Sequence, residues 1–171
     1  MSKNHNPLLA VPLLALCLML GCAGISARFD QTGVNLSQTA RRQIVRVDYP
    51  VRQYLVFIGE TGEMLHADQI MAREKCPNDT VDIALAKLDG YYYLTGDGFR
   101  NVWQVTPAAP NKARLKALAL PDTTGIAGKP QMELKPGSAD SYLLALTGKY
   151  RSGEKFSLTI NNQGKVVADE K

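Results

Sequence analysis

The carboxyl-terminal third of the chain restricts the fold more than any other stretch. Tyr142 to Tyr150, Lys155 to Ile160 and Lys165 to Ala168 are three runs of strand composition. They are joined by Arg151-Ser-Gly-Glu154 and Asn161-Asn-Gln-Gly164, corners built from residues that favour turns. Three short strands with turn chemistry at both corners predict a meander.

The same period continues upstream. Val45, Val47, Tyr49 and Val51 alternate with polar partners, the pattern of a half-buried strand, and Pro50 marks an edge or a bend. Gln53 to Ile58 reads as a second strand, with Gly59-Glu-Thr-Gly62 as its turn into Glu63 to His66. Ala67 to Glu74 contains neither Gly nor Pro and predicts a short helix, ended by Pro77-Asn78-Asp79. Val81 to Leu88 reads as strand or helix. Asp89-Gly90 beyond it is a hairpin signal, because both positions tolerate positive φ. Tyr91 to Leu94 is its returning strand. Gly96-Asp97-Gly98 turns the chain into Asn101 to Thr106, and Pro107 to Asn111 is a loop. Ala113 to Leu120 is open between helix and strand, Asp122 to Pro130 is a loop, and Gln131 to Leu134 is a short strand. Together these segments predict a mainly β fold: an antiparallel sandwich or small barrel with one or two short helices.

The amino terminus has a different character. Lys3 is the only charged residue before an apolar run from Leu8 to Leu20. That run matches a secretory signal core and falls short of the roughly 20 residues a membrane span needs. Met19-Leu20-Gly21-Cys22 follows directly. The tetrad resembles the lipobox of bacterial lipoproteins, in which apolar and small residues precede an invariant cysteine. The resemblance implies cleavage before Cys22, a diacylglyceryl thioether on its sulfur and acylation of the new amino group by a fatty chain such as palmitate. Ala23 in place of an aspartate resembles the signal for the outer membrane. The chain therefore divides into a signal peptide at 1–21, a lipidated tether at 22–40 rich in Gly, Ser, Thr, Gln and Asn, and a single β-rich domain at 41–171.

Charge and cysteines limit the partners. The formal charge of +4 becomes +3 once Lys3 leaves, a mild balance of mixed signs rather than a nucleic-acid footprint. Of the three cysteines, Cys17 departs with the signal and Cys22 takes the lipid, so Cys76 has no partner for an internal disulfide. The expectation for Cys76 is a buried free thiol, with an intermolecular bridge as the alternative.

Tests for chemistry return little. His66 is the single histidine of the mature chain, and no cysteine pair replaces a missing ligand, so no metal site or cofactor is expected. A Cys76–His66 dyad fits no known spacing. Glu60, Glu63, Asp68 and Glu74 gather near the predicted turn and helix, where solvated charge is expected. Tyr91-Tyr92-Tyr93 with Trp103 is the most promising group. Tyr91 and Tyr93 share one strand face and Tyr92 takes the other; the inward face supplies core, whereas an outward pair beside Trp103 would form a stacking platform for a glycan or another protein. Arg41, Arg42, Arg46 and Arg52 form a candidate basic patch close to the membrane.

The functional expectation is a lipid-anchored, non-catalytic module of the cell envelope. It would sit on the outer membrane, periplasmic face preferred, and bind another envelope protein. The rival readings are a periplasmic immunity or inhibitor lipoprotein that neutralises a toxic enzyme, and an envelope enzyme acting on cell wall or lipid through His66, Cys76 or Glu63.

Overall fold

The computed structural model describes residues 25–31, 42–48, 51–58, 63–108, 110–137, 141–161 and 164–168. The signal peptide, Cys22, Arg41, Glu60 and the turn at 59–62 lie outside the described residues.

Twelve strands and one helix occupy the described residues. In chain order they are β1 (Ile25–Gln31), β2 (Gln43–Val47), β3 (Gln53–Phe57), β4 (Glu63–His66), α1 (Asp68–Glu74), β5 (Thr80–Leu88), β6 (Tyr91–Gly96), β7 (Asn101–Ala108) and β8 (Lys112–Ala119), then β9 (Gln131–Pro136), β10 (Tyr142–Lys149), β11 (Lys155–Ile160) and β12 (Val166–Ala168). The first eight strands close an antiparallel barrel in the order β1-β4-β3-β2-β5-β6-β7-β8, and the last four form a second sheet, β12-β11-β10-β9. The mainly β, small-barrel fold read from the sequence is the fold observed. Val81–Leu88 and Ala113–Leu120, open between helix and strand, are strand, the second as far as Ala119.

β1 lies inside the stretch expected to be a tether. Ala27 and Phe29 are buried and Ser26 and Arg28 exposed, so a period-two pattern is present after all. It went unread because two buried residues among Ser, Arg, Asp and Gln are too few to stand out. β1 pairs with β8 from Ile25↔Leu115 to Arg28↔Lys112 and with β4 from Phe29↔Leu65 to Gln31↔Glu63. It is the strand that closes the barrel, and closure leaves no unpaired edge. Ile25–Gln31, placed in the tether by the sequence reading, is therefore part of the barrel.

Two cores share one set of strands. Inside the barrel, Phe29, Ile44, Val56, Leu65, Ile83, Leu94, Trp103 and Val105 fill the lumen with side chains, as an eight-stranded barrel of this size requires. The outer faces of β5 to β8 form the second core with the last sheet: Leu88, Tyr93, Val102 and Leu118 meet Leu144, Leu146, Phe156, Leu158 and Ile160. β5 to β7 thus carry buried residues on both faces, which erased the clean alternation and made Val81–Leu88 ambiguous.

Turn chemistry acts as the sequence implied at several corners. Asp89 and Gly90 both have positive φ, 50° and 81°, which matches the twist of the β5–β6 hairpin. α1 ends when Lys75 enters the left-handed region at φ 55°, ψ 36°. Gly96 is required for a different reason: a Cβ there would stand 2.6 Å from the carbonyl oxygen of Asp82 on the facing strand.

Candidate functional site

α1 closes one end of the barrel, and its last residue anchors it. Ile70, Met71 and Glu74 form its buried face. The Glu74 side chain is fully buried, although its position near a turn suggested solvated charge. Its Oε1 accepts the indole Nε1–H of Trp103 and the Nδ2–H of Asn101, each at 2.7 Å. Oε2 accepts the backbone N–H of Arg100 at 2.7 Å, and the Arg100 Nε stands 4.0 Å away. Every oxygen is satisfied, which is what makes a buried carboxylate tolerable.

The carboxylates weighed as an acid–base group do not assemble. Glu63 begins β4 at the opposite rim, where the Tyr92 hydroxyl donates to its Oε1 at 3.4 Å and the Lys87 Nζ lies 5.1 Å from the Tyr92 ring centroid. Burial, then the Glu63 carboxylate, pushes the Tyr92 phenol above its ordinary value. Asp68 serves the first turn of α1 and accepts the backbone N–H of Tyr54 at 2.9 Å.

Cys76 is a free cysteine and half-buried, its Sγ donating to the Asp97 carbonyl at 3.9 Å. Burial, aided by the nearby Glu74 charge, pushes its thiol up to about 11. A nucleophilic cysteine needs the opposite shift. His66 ends β4, half-buried. Among the described residues no group of three or more His, Cys, Asp or Glu side chains is arranged to hold a metal ion, and no helix is long and apolar enough to cross a membrane.

Of the two readings of the aromatic cluster, core is the one observed for Tyr93 and Trp103, and the platform does not form. Tyr91 and Tyr93 do share a face, but the second sheet covers it, and Tyr93 has 0% exposure. Its hydroxyl accepts the Gln104 Nε2–H at 2.8 Å. Trp103 lies on the other side of the wall, in the lumen, also at 0% exposure. The register explains the separation: Tyr93 pairs with Gln104 and Leu94 with Trp103, so the indole follows Leu94 inward. An expectation drawn from one strand missed the layer packed outside it.

Among the described arginines of the candidate patch, Arg42 stands apart from Arg46 and Arg52. Arg46 is held by Asp48 and Asp79, the first at 2.9 Å. Arg42 lines a groove beside β9, whereas Arg52 is exposed just before β3 begins. β2 lies between those two, so they serve different surfaces.

The surface that does offer a binding geometry lies where the second sheet meets the barrel. β9 pairs only with β10, so its other edge is free within the sheet. Between this edge and β5 runs a groove of about 380 Å³, lined by Leu85, Met132 and Pro130 with Arg42, Lys129 and Glu133 at its polar margins. Further along, the apolar face of the sheet overhangs the barrel. Leu134 is 48% exposed and Tyr142 55%, although their strand neighbour Leu144 is fully buried. The pairs Leu144↔Leu134 and Tyr142↔Pro136 place these side chains on one face. Sequence inspection missed them because nothing marks where a sheet outruns the layer beneath it.

No family model, curated protein or solved structure matches this chain.

Proposed function

We propose that this chain is a lipid-anchored, non-catalytic binding module of the bacterial cell envelope, carried on the periplasmic face of the outer membrane by acyl chains on Cys22. The anchor rests on the lipobox-like Met19-Leu20-Gly21-Cys22 at the end of an uncharged apolar run. Each buried methylene contributes about 0.8 kcal/mol, so a cysteine carrying several chains holds firmly without a spanning helix.

The observation that carries the binding role is the free edge of β9 beside its groove, flanked by the exposed Leu134 and Tyr142. An extended segment of another envelope protein would add to that edge by backbone hydrogen bonds and place apolar side chains in the groove. Arg42 and Lys129 outnumber Glu133 along the lining, which favours a segment carrying acidic residues. Pro136 and Lys135 blunt the far end of the edge, so pairing would run along Gln131 to Glu133. A non-catalytic reading draws support from the raised Cys76 thiol and from Glu63 and Glu74 standing at opposite ends of the barrel.

A photo-crosslinking residue at Leu134, in native membranes, should capture a single dominant envelope protein, and Leu134→Asp should abolish the adduct. Equal labelling from Leu134 and from the exposed Gln69 on α1 would refute the site. The anchor is tested by Cys22→Ser, which should leave the membrane fraction and keep its signal. A serine variant that stays membrane-bound at the processed size would overturn the lipoprotein reading.

A further inference from the structure

We infer that the helix-capped end of the barrel lies directly against the bilayer and that its basic rim binds anionic phospholipid headgroups; this rests on the lipidation of Cys22. The first support is chain length. Only Ala23 and Gly24 separate Cys22 from β1, which begins at Ile25 and is part of the barrel wall. At about 3.5 Å per extended residue, that link spans roughly 10 Å, less than the diameter of the domain it holds. A lipid on Cys22 therefore sets the orientation of the whole barrel.

The second support is where β1 begins. The register Phe29↔Leu65 places Arg28 level with His66, the last residue of β4, so Ile25 lies beyond the end of that strand and alongside α1. α1 packs against both β1 and β3. The start of β3 shares this end: Tyr54 donates its N–H to Asp68 and accepts that of Ala67. The chain thus enters the barrel at the end that α1 closes.

The third support is charge and exposure at that end. Arg52, Arg73 and Lys75 are exposed there, and Val51, 63% exposed, projects beside them. Arg46 joins them, against the carboxylates of Asp48 and Asp79. With Arg100 and Arg151 these cations outnumber Asp48, Asp68, Asp79 and Asp97 at this end, which suits a surface of anionic headgroups, with Val51 able to enter the interfacial layer. The same orientation turns Leu134 and Tyr142 away from the bilayer. The opposite end of β10 is tied to the helix-capped end, where Lys149 accepts the N–H of Ala127 and Arg151 meets Asp97.

The test uses the full lipidated protein in a Cys76→Ser background, reconstituted into phosphatidylethanolamine–phosphatidylglycerol vesicles. An environment-sensitive fluorophore is placed at Val51→Cys or at Leu134→Cys. The Val51 label should shift to the blue and lose emission to brominated lipid, while the Leu134 label should do neither. Combining Arg52→Glu, Arg73→Glu and Lys75→Glu should reverse the Val51 response while the protein still floats with the vesicles. A floating protein whose Val51 label stays in water, or whose Leu134 label is the one quenched, overturns the orientation alone. If mass spectrometry finds no lipid on Cys22, the lipoprotein reading fails and the orientation fails with it.

Discussion

The Glu74 carboxylate accepts the indole N–H of Trp103 at 2.7 Å inside the closed end of the barrel, and neither side chain reaches solvent. This bond joins the only helix among the described residues to β7, one of the strands whose faces line both cores. Glu74→Ala should therefore cost about 3–5 kcal/mol, because Trp103, Asn101 and Arg100 each lose a buried acceptor. Glu74→Gln keeps Oε1 but presents a donor to the Arg100 N–H, at about 1–3 kcal/mol. Urea unfolding followed by the single tryptophan reads both. Equal stability of Glu74→Ala and the parent would show that the bond does not hold the helix.

Tyr93 is expected to act in folding and not in recognition. Tyr93→Phe removes the acceptor of the Gln104 amide in the second core and should cost about 1–3 kcal/mol. Crosslinking from Leu134 should be unchanged in the folded variant. A loss of partner capture without loss of stability would return Tyr93 to the binding surface.

Cys76 should be slow to alkylate. With the thiol pushed from 9.0 to about 11, its thiolate fraction near pH 8 falls on the order of 100-fold below that of the unfolded chain. The folded state holds this proton more tightly, so the associated stabilisation is full below 9 and is lost as pH rises through about 11. Iodoacetamide labelling of native and urea-unfolded protein, from neutral to alkaline pH, measures the difference. Rapid labelling of the native form at pH 7 would contradict the burial assigned here.

Acid should loosen the joint between the barrel and the second sheet. Asp122 accepts the Ser152 hydroxyl and the Thr124 N–H, both at 2.6 Å. These bonds, Ser152 first, hold its carboxyl below the ordinary 3.8. A depressed folded value contributes stability above the unfolded value, and that contribution disappears as pH falls through the folded one. Asp122→Asn should therefore flatten the decline of the unfolding midpoint below about pH 4. A variant whose acid limb superimposes on the parent's would remove Asp122 from the account.

Legibility in the sequence followed the number of layers around each strand. The β9–β12 region, including Lys155–Ile160, was readable because turn residues bound each run. Glu63–His66 was equally plain. β1 was not, since Ile25, Ala27 and Phe29 become meaningful only when β8 and β4 flank them. For the site the divergence is sharper. Tyr93 and Trp103, weighed as a platform, are buried, whereas Leu134 and Tyr142, which nothing in the sequence singles out, are exposed.

Period-two patterning and turn chemistry belong to neighbouring residues, so the sequence alone determined that the chain would be mainly antiparallel β. It likewise contains the lipobox-like Met19-Leu20-Gly21-Cys22 on which the proposed anchor rests. Tertiary structure alone decided that β1 closes a barrel and that a second sheet covers Tyr93. It also brought Glu74 to Trp103, and left the edge of β9 open. Each of these depends on which surface meets which across distant parts of the chain. Local propensity contains no term for that, because burial is a property of the neighbours a side chain acquires.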